Sequence, residues 1–288
     1  MDASGPAAAA EKLEGHRGHL FGSALAVSRR GDGPPLVLVP GIGLSRSTWA
    51  PVLPALAEQF DVIAVDLPGG GSSPPLPDGV EPEPAALARA VADALDAEGI
   101  ERPHLVGNSL GGWVALELAA IRPLASLTLL SPAGLWAGDC PLYCRASLRG
   151  SRWLAQHAQR LACWLAGSRP GRTLLFAQTF ARPARLTTDE ARLILRVLGT
   201  SPGFDATLAA TSRRAWRPTG VIEAPVTVAF GSRDRLLLRR QSRHLERLPT
   251  GTTVARLPGC GHVPMADDPP AVARLIATAA ARAEALAS

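Results

Sequence analysis

Apolar residues along the chain fall into two kinds of segment that alternate. Short, nearly continuous runs, "LVLVP" (36–40), "DVIAVD" (61–66), "HLVGNS" (104–109), "LTLLS" (127–131) and "PVTVAFG" (225–231), are bounded by glycine, proline or polar residues. Runs of this length without polar alternation predict strands covered on both faces. Between them lie "STWAPVLPALAEQF" (47–60), "PAALARAVADALDAEG" (84–99), "LGGWVALELAAI" (110–121) and, last, "PPAVARLIATAAARAEAL" (269–286), with apolar positions three and four residues apart. That spacing predicts amphipathic helices, with Ser47 or Thr48 able to cap the first. Strands and helices in alternation predict an α/β fold, a mostly parallel central sheet flanked by helices. "LFGSALAVSRR" (20–30), just before "GDGPP", reads as a hairpin strand feeding 36–40.

The alternation breaks once. From Gly134 to about Pro218 no strand-like run occurs, and "RWLAQHAQRLACWLAG" (152–167) and "DEARLILRVLG" (189–199) carry helical spacing instead. Residues 134–220 are therefore expected to form a helical insertion above the C-terminal ends of the strands, where open α/β sheets bind ligands. The core then comprises 15–133 and 221–288, and residues 1–14, rich in alanine, are expected to be a loose tail.

Gly107-Asn108-Ser109-Leu110-Gly111 sits between a predicted strand and a predicted helix and fits the G-x-S-x-G nucleophile elbow. Glycine belongs where two backbones pass too closely for a β-carbon, so Gly107 and Gly111 are expected at a crossing of strand and helix, with Gly112 giving the helix room to pack. A serine hydroxyl is a weak nucleophile until a base takes its proton, which requires a histidine and an orienting acid further on. His262 lies in the glycine-rich "PGCGHVPMADDPP" after the predicted strand "TTVARL", and Asp234 follows "PVTVAFG" directly. Asp139 is the rival acid, but it lies inside the insertion. His16, His19, His104, His157 and His244 read as surface or packing residues.

Net charge is +5, unevenly spread. Residues 134–220 hold 13 arginines against four acids, Asp139, Asp189, Glu190 and Asp205, a net +9 that leaves −4 on the rest. Either this is a solvated arginine-rich surface, or it attracts an anionic partner such as a charged substrate tail or an acidic membrane surface. No aromatic interleaving marks a nucleic-acid site. Cys140, Cys144, Cys163 and Cys260 have neither zinc-type spacing nor the density of a disulfide scaffold and read as reduced thiols. The N-terminal segment lacks a basic region followed by an apolar core, and no run of about 18 apolar residues appears. A cytoplasmic location is the expectation.

"VPGIGLSRSTWAPVLPAL", "VIAVDLPGGGSS", "HLVGNSLGGWVALELA", "VTVAFGSRDRLL" and "LPGCGHVPMADDPP", in that order, resemble the α/β-hydrolase superfamily across residues 20–285 outside the insertion. The resemblance is to the branch with a serine nucleophile and a helical cap. It implies Ser109 as nucleophile, His262 as general base and acid, Asp234 as orienting acid, and the backbone N–H groups of Ile42 and Leu110 as the oxyanion hole. Many relatives carry His-Gly where this chain reads Pro40-Gly41-Ile42-Gly43, but backbone donors do not require that histidine. Asp66, in a stretch similar to the family's Asp-x-x-Gly-x-Gly-x-Ser, is expected to brace turns rather than react.

These residues predict a serine hydrolase acting on an ester or thioester with a hydrophobic acyl part through an acyl-serine intermediate. No metal or organic cofactor is implied. Serine rather than aspartate at the elbow argues against dehalogenase and epoxide hydrolase chemistry. Trp136, Trp153, Trp164, Leu154, Leu161 and Phe176 are candidates to line the substrate pocket, and a basic cap would tolerate an anionic tail. The competing readings are carbon–carbon bond hydrolysis, acyl transfer or cyclisation on the same triad, and, from another class, a non-catalytic ligand-binding or interaction protein.

Overall fold

A computed structural model describes residues 20–21, 25–238, 240 and 244–287. The expected tail at 1–14, His16 and His19 lie outside the described residues.

Eight strands form one sheet: β1 (Leu20–Phe21), β2 (Leu25–Arg30), β3 (Pro35–Val39), β4 (Asp61–Val65), β5 (His104–Asn108), β6 (Ser126–Leu130), β7 (Val226–Gly231) and β8 (Thr253–Leu257). Their order is β1-β2-β4-β3-β5-β6-β7-β8, parallel from β4 to β8 with β1 and β2 antiparallel at one edge. β2 thus pairs with β4, Val27 opposite Val65, and not with β3 as a simple hairpin would require. β3 already has parallel partners on both sides, so β2 joins the sheet at the edge that β4 leaves free. The link between β2 and β3 must then cross the chain entering β4, and a β-carbon on Gly31 or Gly33 would lie about 2 Å from the carbonyl oxygens of Phe60 or Gln59.

Side chains alternate across the sheet and divide the core into two layers. Val37, Val39, Ile63, Val65, Leu105, Leu127 and Val228 pack on one face with α2 (Pro84–Ala97) and α3 (Leu110–Ala119). Leu36, Leu38, Val62, Ala64, Val106 and Ala229 face the other way, toward α1 (Leu53–Leu56) and α10 (Pro269–Ala287), the latter following the short α9 (Pro264–Asp267). Both faces are dry, which is why the central strands read as unbroken apolar runs. Burial of each Leu, Val or Ile contributes about 1.5–3 kcal/mol. β8, at the outer edge, alternates instead, with Val254 exposed.

The stretch 47–60 is not one helix. It forms a 3₁₀ turn, Arg46–Trp49, and then α1, because Pro51 and Pro54 cannot donate the hydrogen bonds a continuous helix needs. The turn's N-cap is Ser45, whose side chain bonds Ser47 Oγ rather than a backbone N–H, so neither Ser47 nor Thr48 caps it. Between β6 and β7 the chain forms helices only: α4 (Leu142–His157), α5 (Gln159–Ala166), α6 (Arg169–Phe176), α7 (Thr188–Thr200) and α8 (Phe204–Ser212). α7 begins in a reciprocal capping box in which Thr187 Oγ1 accepts from the Glu190 N–H and the Glu190 carboxylate accepts from the Thr187 N–H.

Candidate active site

Ser109 stands alone between the last residue of β5 and the first of α3, with φ 55° and ψ −119°. The strained conformation falls on the serine, while its glycines keep ordinary negative φ and serve close approach. A β-carbon at Gly107 would lie 2.2 Å from the Gly111 carbonyl oxygen, one at Gly111 2.2 Å from the Val39 oxygen, and one at Gly112 2.7 Å from Pro132 Cβ. Such a backbone state costs about 1–3 kcal/mol and persists only where its surroundings over-determine it. Here the Ser109 N–H donates to the Leu130 oxygen at 3.0 Å, and the Ser109 carbonyl accepts from the Gly112 and Ala133 N–H groups, both at 2.9 Å.

Asp234 lies in the turn after β7, with Oδ1 accepting from the N–H groups of Leu236 (3.0 Å) and Leu237 (2.9 Å) and Oδ2 from His262 Nδ1 (2.9 Å). Burial alone would push the Asp234 carboxyl up. The His262 charge and hydrogen bond, with the two backbone donors, outweigh it and hold the group below the usual carboxylate range. An ionised carboxylate can only accept, so the imidazole proton belongs on Nδ1 and the lone pair on Nε2. His262 Nε2 is buried and has no hydrogen-bond partner among the described residues. Ser109 and His262 line one cavity without a hydrogen bond between them in this conformation; such bonds commonly tighten only on substrate binding. Asp139, the rival acid, is exposed.

Two residues that the sequence did not single out hold this loop. Asn108, fully buried, donates from Nδ2 to the carbonyl oxygens of both His262 and Leu130 at 3.0 Å, tying the histidine to the elbow. The Asp267 carboxylate accepts from the N–H groups of Gly261 (2.8 Å), Ala181 and Arg182 (2.9 Å each), joining the histidine loop to the segment that follows α6. The His262 N–H also donates to the Thr179 oxygen at 2.8 Å. Only long-range contacts make these residues useful; "NS" and "DD" carry no such signal alone.

Opposite Ser109, a β-carbon on Gly41 would come within 3.1 Å of Ser109 Cβ, so the 41–43 loop passes directly over the serine. The N–H groups of Ile42 and Leu110 donate to no acceptor among the described residues. Two free donors beside a raised hydroxyl can stabilise an oxyanion. Asp66 is braced as expected: its carboxylate pairs with buried Arg46 and accepts from the Arg46 and Ser72 N–H groups.

The cavity is lined above by Leu148 and Leu154 of α4, Leu175 and Phe176 of α6, and Leu195 and Leu198 of α7. Of the aromatic candidates only Phe176 lines it, together with Leu154. Trp136 is packed in the core, edge-on to Trp113, with its Nε1 donating to the Arg214 oxygen. Trp153, Trp164 and Leu161 point outward, exposed by 59%, 73% and 52%. On a helix a large apolar residue and a pocket-lining one have the same period, and only the packing partner tells them apart. The stripe Ile194-Leu195-Leu198 was the available signal for the lining actually used. All four cysteines are free, and burial pushes Cys260 up to about 11. No cluster of three metal-binding side chains occurs among the described residues.

A profile of the alpha/beta hydrolase family matches residues 36–275. A pimeloyl acyl-carrier-protein methyl ester esterase from Methylococcus capsulatus is 31% identical over 265 residues, covering 88% of this chain and 96% of that one. A protein provisionally named carbamate hydrolase, from Stutzerimonas stutzeri, is 39% identical over 111 residues, and this match spans only 41% of that protein's length. Among solved structures, the enol-lactonase from Burkholderia xenovorans superposes with a TM-score of 0.71 at 22% identity, covering 88% of this chain and 95% of that one. The matched span takes in the elbow, the Asp234 turn and the His262 loop, and the chain belongs to the alpha/beta hydrolase family.

Proposed function

We propose that the protein is a serine hydrolase that cleaves esters or thioesters with a hydrophobic acyl part through an acyl-serine intermediate. The observation that carries this reading is the His262 imidazole, held by Asp234 at 2.9 Å with its other nitrogen unpartnered in a cavity that Ser109 also lines. Ser109 Oγ attacks the carbonyl, and its proton passes to His262 Nε2. The Ile42 and Leu110 N–H groups take up charge on the oxygen. His262 then gives the proton to the leaving group, and water returns along the same path. Asp234 keeps Nε2 the basic nitrogen and supports the imidazolium. Residues 134–220 act as a cap over the core formed by the described residues before 134 and after 220. Their leucines and Phe176 favour an apolar acyl chain. The esterase name of the Methylococcus capsulatus relative supports an ester as substrate.

The test is release of p-nitrophenol from acyl esters of increasing length by wild type and by Ser109→Ala, alongside labelling by a fluorophosphonate. Loss of turnover on the order of a millionfold, as in subtilisin, and loss of labelling are expected. A folded wild type that neither labels nor hydrolyses overturns the reading. Product analysis with an added alcohol or amine acceptor separates hydrolysis from acyl transfer.

A further inference from the structure

α4, α5 and α6 present their inner residues to the cavity and core; their outer faces combine large exposed apolar side chains with arginines. Between Asp139 and Asp189 the chain has eight arginines and no acidic residue. On the outer stripe of α4, Leu142, Arg149 and Trp153 recur at helical spacing and are exposed. α5 continues with exposed Arg160, Leu161 and Trp164, and α6 with Arg169 and Leu174. Trp164 and Leu174 are exposed by 73% and 75%. Arg149, Arg160 and Arg169 form no ion pair among the described residues. Large exposed apolar side chains gathered on one region mark an interaction site.

We propose that this face docks on the surface of an anionic lipid bilayer. Tryptophan and leucine side chains enter the boundary between headgroups and acyl chains, while arginine stems lie along it and their guanidinium groups meet lipid phosphates. Charge selects the occupant. A second copy of the chain in a two-fold dimer would set this face against itself, the exposed Arg149, Arg160 and Arg169 against the same three, with no acid on these helices to answer them. An acidic protein would satisfy the arginines, but two exposed tryptophans and three exposed leucines gain most from an apolar layer beneath the phosphates. The docked face is the outer side of α4, whose inner residues Leu148 and Leu154 close the cavity, so the cavity would lie one helix away from the membrane.

Purified full-length protein is sedimented with vesicles of phosphatidylcholine alone and with about 30% phosphatidylglycerol, at low and high salt, in a test that reads binding and not Ser109 chemistry. Binding only to the anionic vesicles, weakening with salt, is expected. Each arginine near an anionic leaflet contributes about fivefold, so Arg149→Gln with Arg160→Gln weakens binding on the order of 25-fold. Trp153→Ser with Trp164→Ser abolishes stable insertion; all these positions are exposed, so unchanged thermal melting serves as the fold control. A second readout uses wild type alone: Trp49, Trp113, Trp136 and Trp216 are buried, so quenching by brominated lipid reports on Trp153 and Trp164. Quenching supports docking through this face. Absence of binding to anionic vesicles, binding without quenching, or equal binding to soluble polyglutamate would overturn the proposal, the last in favour of an acidic protein.

Discussion

Asp234 accepts three hydrogen bonds in a buried turn, one from the imidazole and two from backbone N–H groups, and this makes it the most telling residue to change. Asp234→Asn keeps the volume but puts an amide donor where a carboxylate accepted, so the imidazole is driven toward the tautomer with its proton on Nε2. A fall in kcat of about 10⁴-fold with little change in KM is expected, read from steady-state ester hydrolysis. The same residue sets a pH dependence of stability. Its folded pKa is depressed, so the unfolded chain binds the proton more readily. The stabilisation is present above the unfolded carboxylate value of about 3.9 and is lost as pH falls through the lower folded value. Urea midpoints measured from pH 6 downward should fall less steeply in Asp234→Asn than in wild type; parallel curves would contradict the assignment.

The elbow is a packing problem solved by glycine, and two glycines show how sharply context decides. Gly111 has the Val39 and Pro40 carbonyl oxygens at 2.2 and 2.5 Å from a hypothetical β-carbon, contacts that no backbone can relieve cheaply. Gly150, mid-way along exposed α4, has nothing within 4 Å. Gly111→Ala should lower the melting temperature and abolish activity, whereas Gly150→Ala should raise stability by about 0.5–1 kcal/mol through helix propensity and a less flexible unfolded chain. Thermal melts of the pair check both signs. At this scale the sequence was legible where one element dictated its own pattern: the buried strands, the long helices and the need for glycine around Ser109. It was misleading where proline interrupted 47–60, and at β2, whose partner depended on which edge of the sheet stayed free.

For the whole molecule, the cavity exists only because helices distant in sequence close over the sheet's C-terminal edge. Leu175 lines it from α6, well away from Ser109 in the chain. Leu175→Trp should fill part of the cavity and lower kcat/KM for octanoyl esters about 10-fold or more relative to acetyl esters, the scale of one or two misfitted methylenes. An unchanged chain-length profile would remove that wall from the acyl site.

What the sequence determined by itself was local and ordered: which segments are strands and helices, where the backbone must be bare, and that Ser109, Asp234 and His262 follow their strands in a chemically sensible order. The elements and the bare positions follow from period, sterics and residue type within a dozen residues, and the order of the three site residues is read directly along the chain. The tertiary structure alone decided which side chains face the cavity, placing Phe176 and Leu154 inside and Trp136, Trp153 and Trp164 elsewhere. It also assigned Asn108 and Asp267 their work of holding the histidine loop. An apolar stripe states that a face is dry or could be, but not what lies against it; that is settled only when another element, from far along the chain, packs there.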